Sequence, residues 1–167
     1  RDLWIAAPDG TAMLSSLALQ VAPGEHVLVD GEPEAAASLF RVLAGIWPWG
    51  RGHVDLPADA GMMAVGPRPF LPEGSLRGAL SFPAPAGSLA DDACRDALEA
   101  VGLAPLAARL DEAADWTRVL GNAELQRLAF ARLLLHRPDW IVLGDATDAL
   151  DPAAADGMLR LLAERLP

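Results

Sequence analysis

The chain contains no lysine; all 13 of its basic residues are arginine. No register of any loop can therefore offer a phosphate a lysine ammonium. There is one cysteine, Cys94, which permits no internal disulfide and fits a reducing compartment. It lies in an amphipathic helical pattern, where a buried or half-buried thiol is expected rather than a nucleophile. No apolar run approaches the roughly 20 residues that cross a bilayer, so direct membrane insertion by this segment is not expected. The opening Arg1-Asp2 leads straight into a strand pattern and lacks the layout of a signal peptide. Positive charge is scarce: 13 arginines face 23 acidic residues, for a net charge of −10. That balance argues against a nucleic-acid surface. What the chain does have is apolar content, 52% of 167 residues, enough for the core of one domain.

Short apolar runs at Leu3–Ala6, Met13–Val21 and His26–Val29 read as strands, separated by the turn signals Pro8-Asp9-Gly10 and Pro23-Gly24. Residues 34–44 read as a helix with Leu39, Phe40 and Leu43 on its apolar face. Loop-rich sequence from Gly45 to Gly74 holds two short strands, His53–Leu56 and Met62–Val65. Helical patterns follow at 89–101, 105–110 and 123–136, then a buried strand at Trp140–Leu143 and an amphipathic helix over 152–166. Strands alternating with helices predict an α/β layer with a partly parallel sheet.

The most informative stretch is Leu120-Gly121-Asn122-Ala123-Glu124-Leu125-Gln126-Arg127, followed by Trp140-Ile141-Val142-Leu143-Gly144-Asp145 and Ala149-Leu150-Asp151. It resembles the signature helix, Walker B strand and D-loop of an ABC transporter ATPase. Gly66-Pro67-Arg68-Pro69-Phe70-Leu71-Pro72 resembles that family's Q-loop, and the turn from Val27 to Gly45 stands where its P-loop would be. Leu43–Gly50, Leu110–Trp116 and the absence of a long helical insertion are similar to the subfamily D half-transporters, in which a membrane domain precedes the ATPase. The resemblance implies a P-loop NTPase-like (RecA-like) α/β core, an N-terminal antiparallel β subdomain and a helical subdomain at about 75–136. It implies one nucleotide-binding domain over residues 1–167, ending before the strand that carries the family's switch histidine. His53 and His136 are not in that histidine's place and read as surface or loop residues.

The family's chemical residues are replaced one after another. A P-loop uses glycine N–H groups to wrap phosphates, lysine to neutralise them and a hydroxyl to hold Mg²⁺. Aligned on Leu39–Gly45, the lysine position is Ala36 and the hydroxyl position Ala37; the glycine positions are Asp30, Pro33 and Ala35. A one-residue shift recovers Gly31 and Ser38 but places Ala37 at the lysine. Asp30, Glu32 and Glu34 bring carboxylates toward a site meant for a polyanion, where like charges about 4 Å apart cost about 1 kcal/mol in water and about 4 kcal/mol when partly buried. The same side chains suit a helix N-terminus, so helix capping by its own carboxylates is the expected role.

The Q-loop glutamine falls on Pro67, which offers no side-chain donor or acceptor. The signature serine and glycine fall on Gly121 and Ala123. Glu124, Gln126 and Arg127 remain, and read equally as capping and surface residues or as interface residues. Gly144 takes the Mg²⁺-ordering aspartate position, and Asp145 the place of the glutamate that polarises water, one methylene shorter. Asp145 alone could touch a metal; a carboxylate there more often caps a helix. Asp151 matches the D-loop aspartate. Ala7 stands where an adenine-stacking aromatic is usual. No catalytic, cofactor-binding or metal position is intact, and neither ATP nor Mg²⁺ is expected to be bound.

The resulting expectation is a degenerate nucleotide-binding domain, a structural or regulatory part of a transporter at the cytoplasmic face of a membrane. Its expected partners are a second nucleotide-binding domain and a transmembrane domain, not nucleic acid. The alternative is a functional Mg-ATPase domain energising export or import. An intact lysine or Walker B aspartate would have supported it, and neither is present.

Overall fold

A computed structural model describes residues 2–166. The elements in chain order are β1 (Leu3–Ala6), β2 (Ala12–Leu17), α1 (Pro33–Leu43), β3 (Gly50–Arg51), β4 (Met62–Val65), β5 (Gly74–Ser75), α2 (Leu76–Ser81), α3 (Asp91–Ala100), a 3-10 helix (Ala104–Arg109), β6 (Ala113–Ala114), α4 (Trp116–Val119), α5 (Asn122–His136), β7 (Trp140–Leu143) and α6 (Pro152–Arg165). They fall into two compact units, residues 1–64 with 139–144, and residues 65–138 with 145–167.

In the first unit, alternation within Leu3–Ala6 pairs β1 antiparallel with β2 on one side and β3 on the other. Ile5 is fully buried and packs with Leu3 and Leu39, surrounded by Leu14, Leu17, Val42 and Trp47. Trp47 is fixed by its indole N–H, which donates to the Ala6 carbonyl at 2.9 Å. Gly50 lies opposite Ile5, and a Cβ there would stand 2.6 Å from the Trp4 carbonyl oxygen; only glycine lets the two backbones approach this closely. β4 pairs with β7, and the Asp139 carboxylate accepts from the Gly61 N–H at 2.7 Å beside that pairing.

Several expectations for this unit need correction. His26–Val29 forms no strand: Val27 and Val29 are exposed and Leu28 is 91% exposed. An apolar run becomes a strand only where a neighbour completes its ladder, and no described strand pairs with this one. His53–Leu56 is likewise irregular, because the segment that pairs with β1 is Gly50–Arg51 just before it. The second strand covers Ala12–Leu17 only, with register shifts along β1 and a left-handed Ser16 (φ 60°) near its end. Trp140–Leu143 is a strand as expected, but half-buried throughout rather than buried.

In the second unit, α5 is the central helix and packs against α2, α3 and α6. Leu128, Phe130 and Leu133 on it are fully buried. α5 ends in a left-handed Arg137 (φ 46°) because Pro138 follows and disfavours helical backbone before it. The expected segment 105–110 is a 3-10 helix over Ala104–Arg109. Two short elements and one ribbon escaped the sequence pattern. α2 is started by the Ser75 hydroxyl, which accepts from the Gly78 N–H at 3.1 Å. α4 is started by Asp115, whose carboxylate accepts from the Thr117 N–H at 3.2 Å. β5 and β6 pair antiparallel through Gly74 with Ala114 and Ser75 with Ala113. Trp116, fully buried, closes this ribbon by donating its indole N–H to the Gly74 carbonyl at 3.1 Å. Cys94 is fully buried, and burial pushes its thiol pKa up, as suits an inert core thiol.

Candidate functional site

The start of α1 in the first unit is where a phosphate cradle would be built. Pro33 occupies the first helical position, which suits its fixed φ and leaves no N–H there. Glu32 is the N-cap, but its side chain makes no capping hydrogen bond; its carbonyl accepts from the Ala36 N–H at 3.0 Å. The Asp30 carboxylate accepts from the Gly31 N–H at 2.9 Å, outside the helix. The expected capping of α1 by its own carboxylates is therefore not what forms. Proline at the first position starts the helix instead, and Glu34 contributes only a favourable charge in the first turn. Ala35, Ala36 and Ala37 present only methyl groups. Ser38 is fully buried and donates its hydroxyl to the Ala35 carbonyl at 2.8 Å, a local bond that turns it into its own helix.

Two turns into α1, Phe40 reaches the residue that follows β7. A Cβ on Gly144 would lie 2.6 Å from both Cγ and Cδ2 of Phe40, and 3.2 Å from Cδ1. Carbon atoms in contact sit about 3.5–4.0 Å apart, so the ring fills the space a side chain at 144 would need. Pitch alone had placed Phe40 on the apolar face of the helix; its meeting with residue 144 needed the fold.

The second unit holds the remaining motif positions. Pro67 presents its carbonyl to Gln126, whose Nε2 donates to it at 3.1 Å. Gly121 is the N-cap of α5, and its N–H is taken by the Glu124 carboxylate at 2.9 Å, so Glu124 caps the helix. Ala123 is half-buried in the first turn. Gln126 is fully buried, which corrects the reading of it as a surface residue. The signal for this was in the pitch: Gln126, Phe130 and Leu133 share one stripe of α5. Arg127 is half-buried and donates to the Val101 carbonyl at 2.9 Å, so it too is engaged internally.

Asp145 is exposed and left-handed (φ 51°), and its carbonyl accepts from the Asp148 N–H at 3.3 Å; it caps no helix. The cap of α6 is Asp151, whose carboxylate accepts from the Ala154 N–H at 2.9 Å, with Pro152 at the first helical position. His136 is half-buried, its Nε2 3.2 Å from the Leu80 carbonyl oxygen.

The strongest electrostatics lie away from the motif positions. Arg77 pairs with Asp111 at 2.9 Å and with Asp91, and the bond to Asp111 leads in raising the arginine pKa above its ordinary value. The same bond holds Asp111 below the usual carboxylate range. Glu112 is lowered by Arg109, which grips it through two bonds of 2.7 Å. Asp115 is lowered chiefly by the Thr117 hydroxyl. Arg132 is different: it is buried, no carboxylate pairs with it among the described residues, and burial lowers its pKa. It donates to the Phe70 carbonyl at 2.8 Å and the Phe82 carbonyl at 3.1 Å, and lies 5.1 Å from the Phe82 ring. Among the described residues no group of three or more His, Cys, Asp or Glu stands together as a metal site would.

No protein-family model matches the sequence. Individual proteins do. The chain is 33% identical over 168 residues to an uncharacterized ABC transporter ATP-binding protein of Haemophilus influenzae, covering 100% of this chain and 28% of that protein. It is 36% identical over 169 residues to the inner membrane ABC transporter ATP-binding protein YddA of Escherichia coli, covering 99% and 29%. Against the human lysosomal cobalamin transporter ABCD4 it is 34% identical over 172 residues, covering 94% and 28%. The chain thus spans less than a third of the length of these relatives.

Among solved structures it resembles cbiO1 from Clostridium perfringens, part of the ABC transporter complex cbiONQ. The TM-score is 0.67 at 23% identity, over 98% of this chain and 70% of that one. That likeness shows the P-loop NTPase type of α/β fold. With relatives of this kind matching nearly all of this chain, it belongs to the family of ABC transporter ATP-binding proteins.

Proposed function

We propose that this chain is the nucleotide-binding-type domain of a membrane transporter that neither holds Mg-ATP well nor hydrolyses it. It serves there as a structural or regulatory partner of a second nucleotide-binding domain and a transmembrane domain at the cytoplasmic face of a membrane. Residues 75–136 form its helical subdomain. No described helix is long and apolar enough to cross a membrane.

The observation that carries the reading is Phe40 packed into the space beside Gly144. A carboxylate that orders Mg²⁺ would have to stand in that space. Further support comes from the start of α1. Its lysine position is Ala36, the Ser38 hydroxyl is turned onto Ala35, and Gly31 gives its N–H to Asp30. These residues do not fit a triphosphate and its cation.

The test is the thermal unfolding midpoint with and without millimolar Mg-ATP. A ligand at about 100 times its dissociation constant stabilises the native state by about 2.7 kcal/mol, several degrees for a domain of this size. The expected result is a cooperative transition with no shift. A Mg-dependent rise of several degrees overturns the proposal and favours a working Mg-ATPase.

A further inference from the structure

Gln126 is fully buried on a stripe of α5 whose neighbours, Phe130 and Leu133, are apolar. A buried amide must find partners for both its ends. Here Nε2 donates to the Pro67 carbonyl at 3.1 Å and to the Asp148 carboxylate, and Oε1 accepts from the Ala149 N–H at 3.0 Å. This set admits one orientation of the amide. Flipped, the oxygen would face a carbonyl and a carboxylate, and the NH₂ would face an N–H.

The partners belong to two segments far apart in sequence. One is the loop after β4, 59 residues before Gln126; the other is the turn before α6, 22 and 23 residues after it. Each segment has a reason to need an outside hold. Within the turn, the Asp148 N–H bonds to the Asp145 carbonyl and the Leu150 N–H to the Thr147 carbonyl at 3.0 Å, while the Ala149 N–H goes to Gln126. The turn also begins at the left-handed Asp145, a backbone conformation that persists where its surroundings enforce it. In the loop, Pro67 has a fixed φ and no N–H, so its carbonyl is what it can offer a partner.

We infer that Gln126 is a positioning residue that ties the loop at Pro67 and the turn at Asp148–Ala149 to α5 as one body in the absence of nucleotide. The relevance to transporter regulation rests on the function proposed above; the tie itself does not. Both segments occupy motif positions of the family, so a domain that does not rely on ATP to order them keeps that surface in one arrangement throughout.

Amide hydrogen exchange of the nucleotide-free protein tests this. In Gln126→Leu, which keeps the apolar stripe but removes both ends of the amide, exchange over residues 145–151 and over 65–70 is expected to speed up together, by tenfold or more. The α3 helix is expected to keep its protection. Asp148→Asn retains an acceptor oxygen and is expected to exchange like the wild type. Wild-type rates in Gln126→Leu, or acceleration in one segment alone, overturn the inference. Should Gln126→Leu fail to fold, Gln126→Met, unbranched and adaptable and likewise without either end of the amide, decides instead: faster exchange at Ala149 supports the tie and an unchanged rate overturns it. Repeating the wild-type measurement with Mg-ATP separates the two proposals. ATP-dependent protection would count against the proposed function and leave the nucleotide-free tie standing.

Discussion

At the scale of single residues, the Phe40 ring stands in the space that any side chain at position 144 would need. A chain without lysine cannot fill a P-loop, and Pro67 and Gly144 announce absent side chains wherever they sit. That Phe40 fills the space beside Gly144 depends on the α1 and β7 backbones meeting, which no local pattern reports. The consequence is measurable. Gly144→Asp forces a Cβ to 2.6 Å from the ring and is expected to destabilise the domain by about 1–3 kcal/mol, the usual range for overpacking. Phe40→Ala in that background should recover part of the loss, although alone it removes buried apolar surface. A denaturant-unfolding cycle over the four proteins gives the coupling, and simple additivity of the two changes would mean that the ring and residue 144 do not compete. Asp145 illustrates the opposite case. Its φ of 51° has no sequence signal, because aspartate is tolerated both there and in ordinary backbone.

At the scale of elements, long periodic segments were legible and short ones were not. α5 and α6 carry enough turns for pitch to speak, whereas α2 and α4 rest on a single local cap each and the β5–β6 ribbon on long-range bonds such as that from Trp116 to Gly74. The carboxylates held around these short elements make a pH prediction. Asp111 and Glu112 are held below their ordinary pKa by Arg77 and Arg109, and Asp115 by Thr117. A carboxylate lowered in the folded state binds its proton more readily when unfolded. Its stabilising contribution is therefore complete above the unfolded value, about 4, and is lost as pH falls through the lower folded value. Stability should hold from neutral pH down to about 4 and decline below it, with a shallower decline in Asp111→Asn; an identical slope in that variant would remove Asp111 from the account. Arg132 makes a second prediction. It bridges the Phe70 and Phe82 carbonyls with one planar fork, which a lysine cannot match. Arg132→Lys is expected to lose about 1–3 kcal/mol in chemical denaturation by giving up one of two charge-assisted hydrogen bonds. Retention of full stability would show that one bond suffices.

At the scale of the whole molecule, the sequence pattern and the fold disagree most over His26–Val29. The run is short, apolar and β-branched, as a strand should be, yet it lies outside every ladder among the described residues, with Leu28 91% exposed. Periodicity records which residues favour water less; it does not record whether a neighbour is present to receive their N–H and C=O groups. α5 stands at the other extreme. Leu128, Phe130, Ala131 and Leu133 are fully buried in it, and α2, α3 and α6 pack around them. Opening free energies within one protein run from near zero for unladdered, exposed backbone up to the global value for the core. With a global stability of even about 5 kcal/mol, amides in the middle of α5 should exchange on the order of a thousand times more slowly than those at 27–29, once each is corrected for its intrinsic rate. Native-state hydrogen exchange resolves both segments in one experiment. Comparable protection at Val27–Val29 and at Leu128–Leu133 would mean that the apolar run pairs as its pattern suggests. The expected gap would mean that this stretch, strand-like in composition, is held by the chain around it rather than by a sheet.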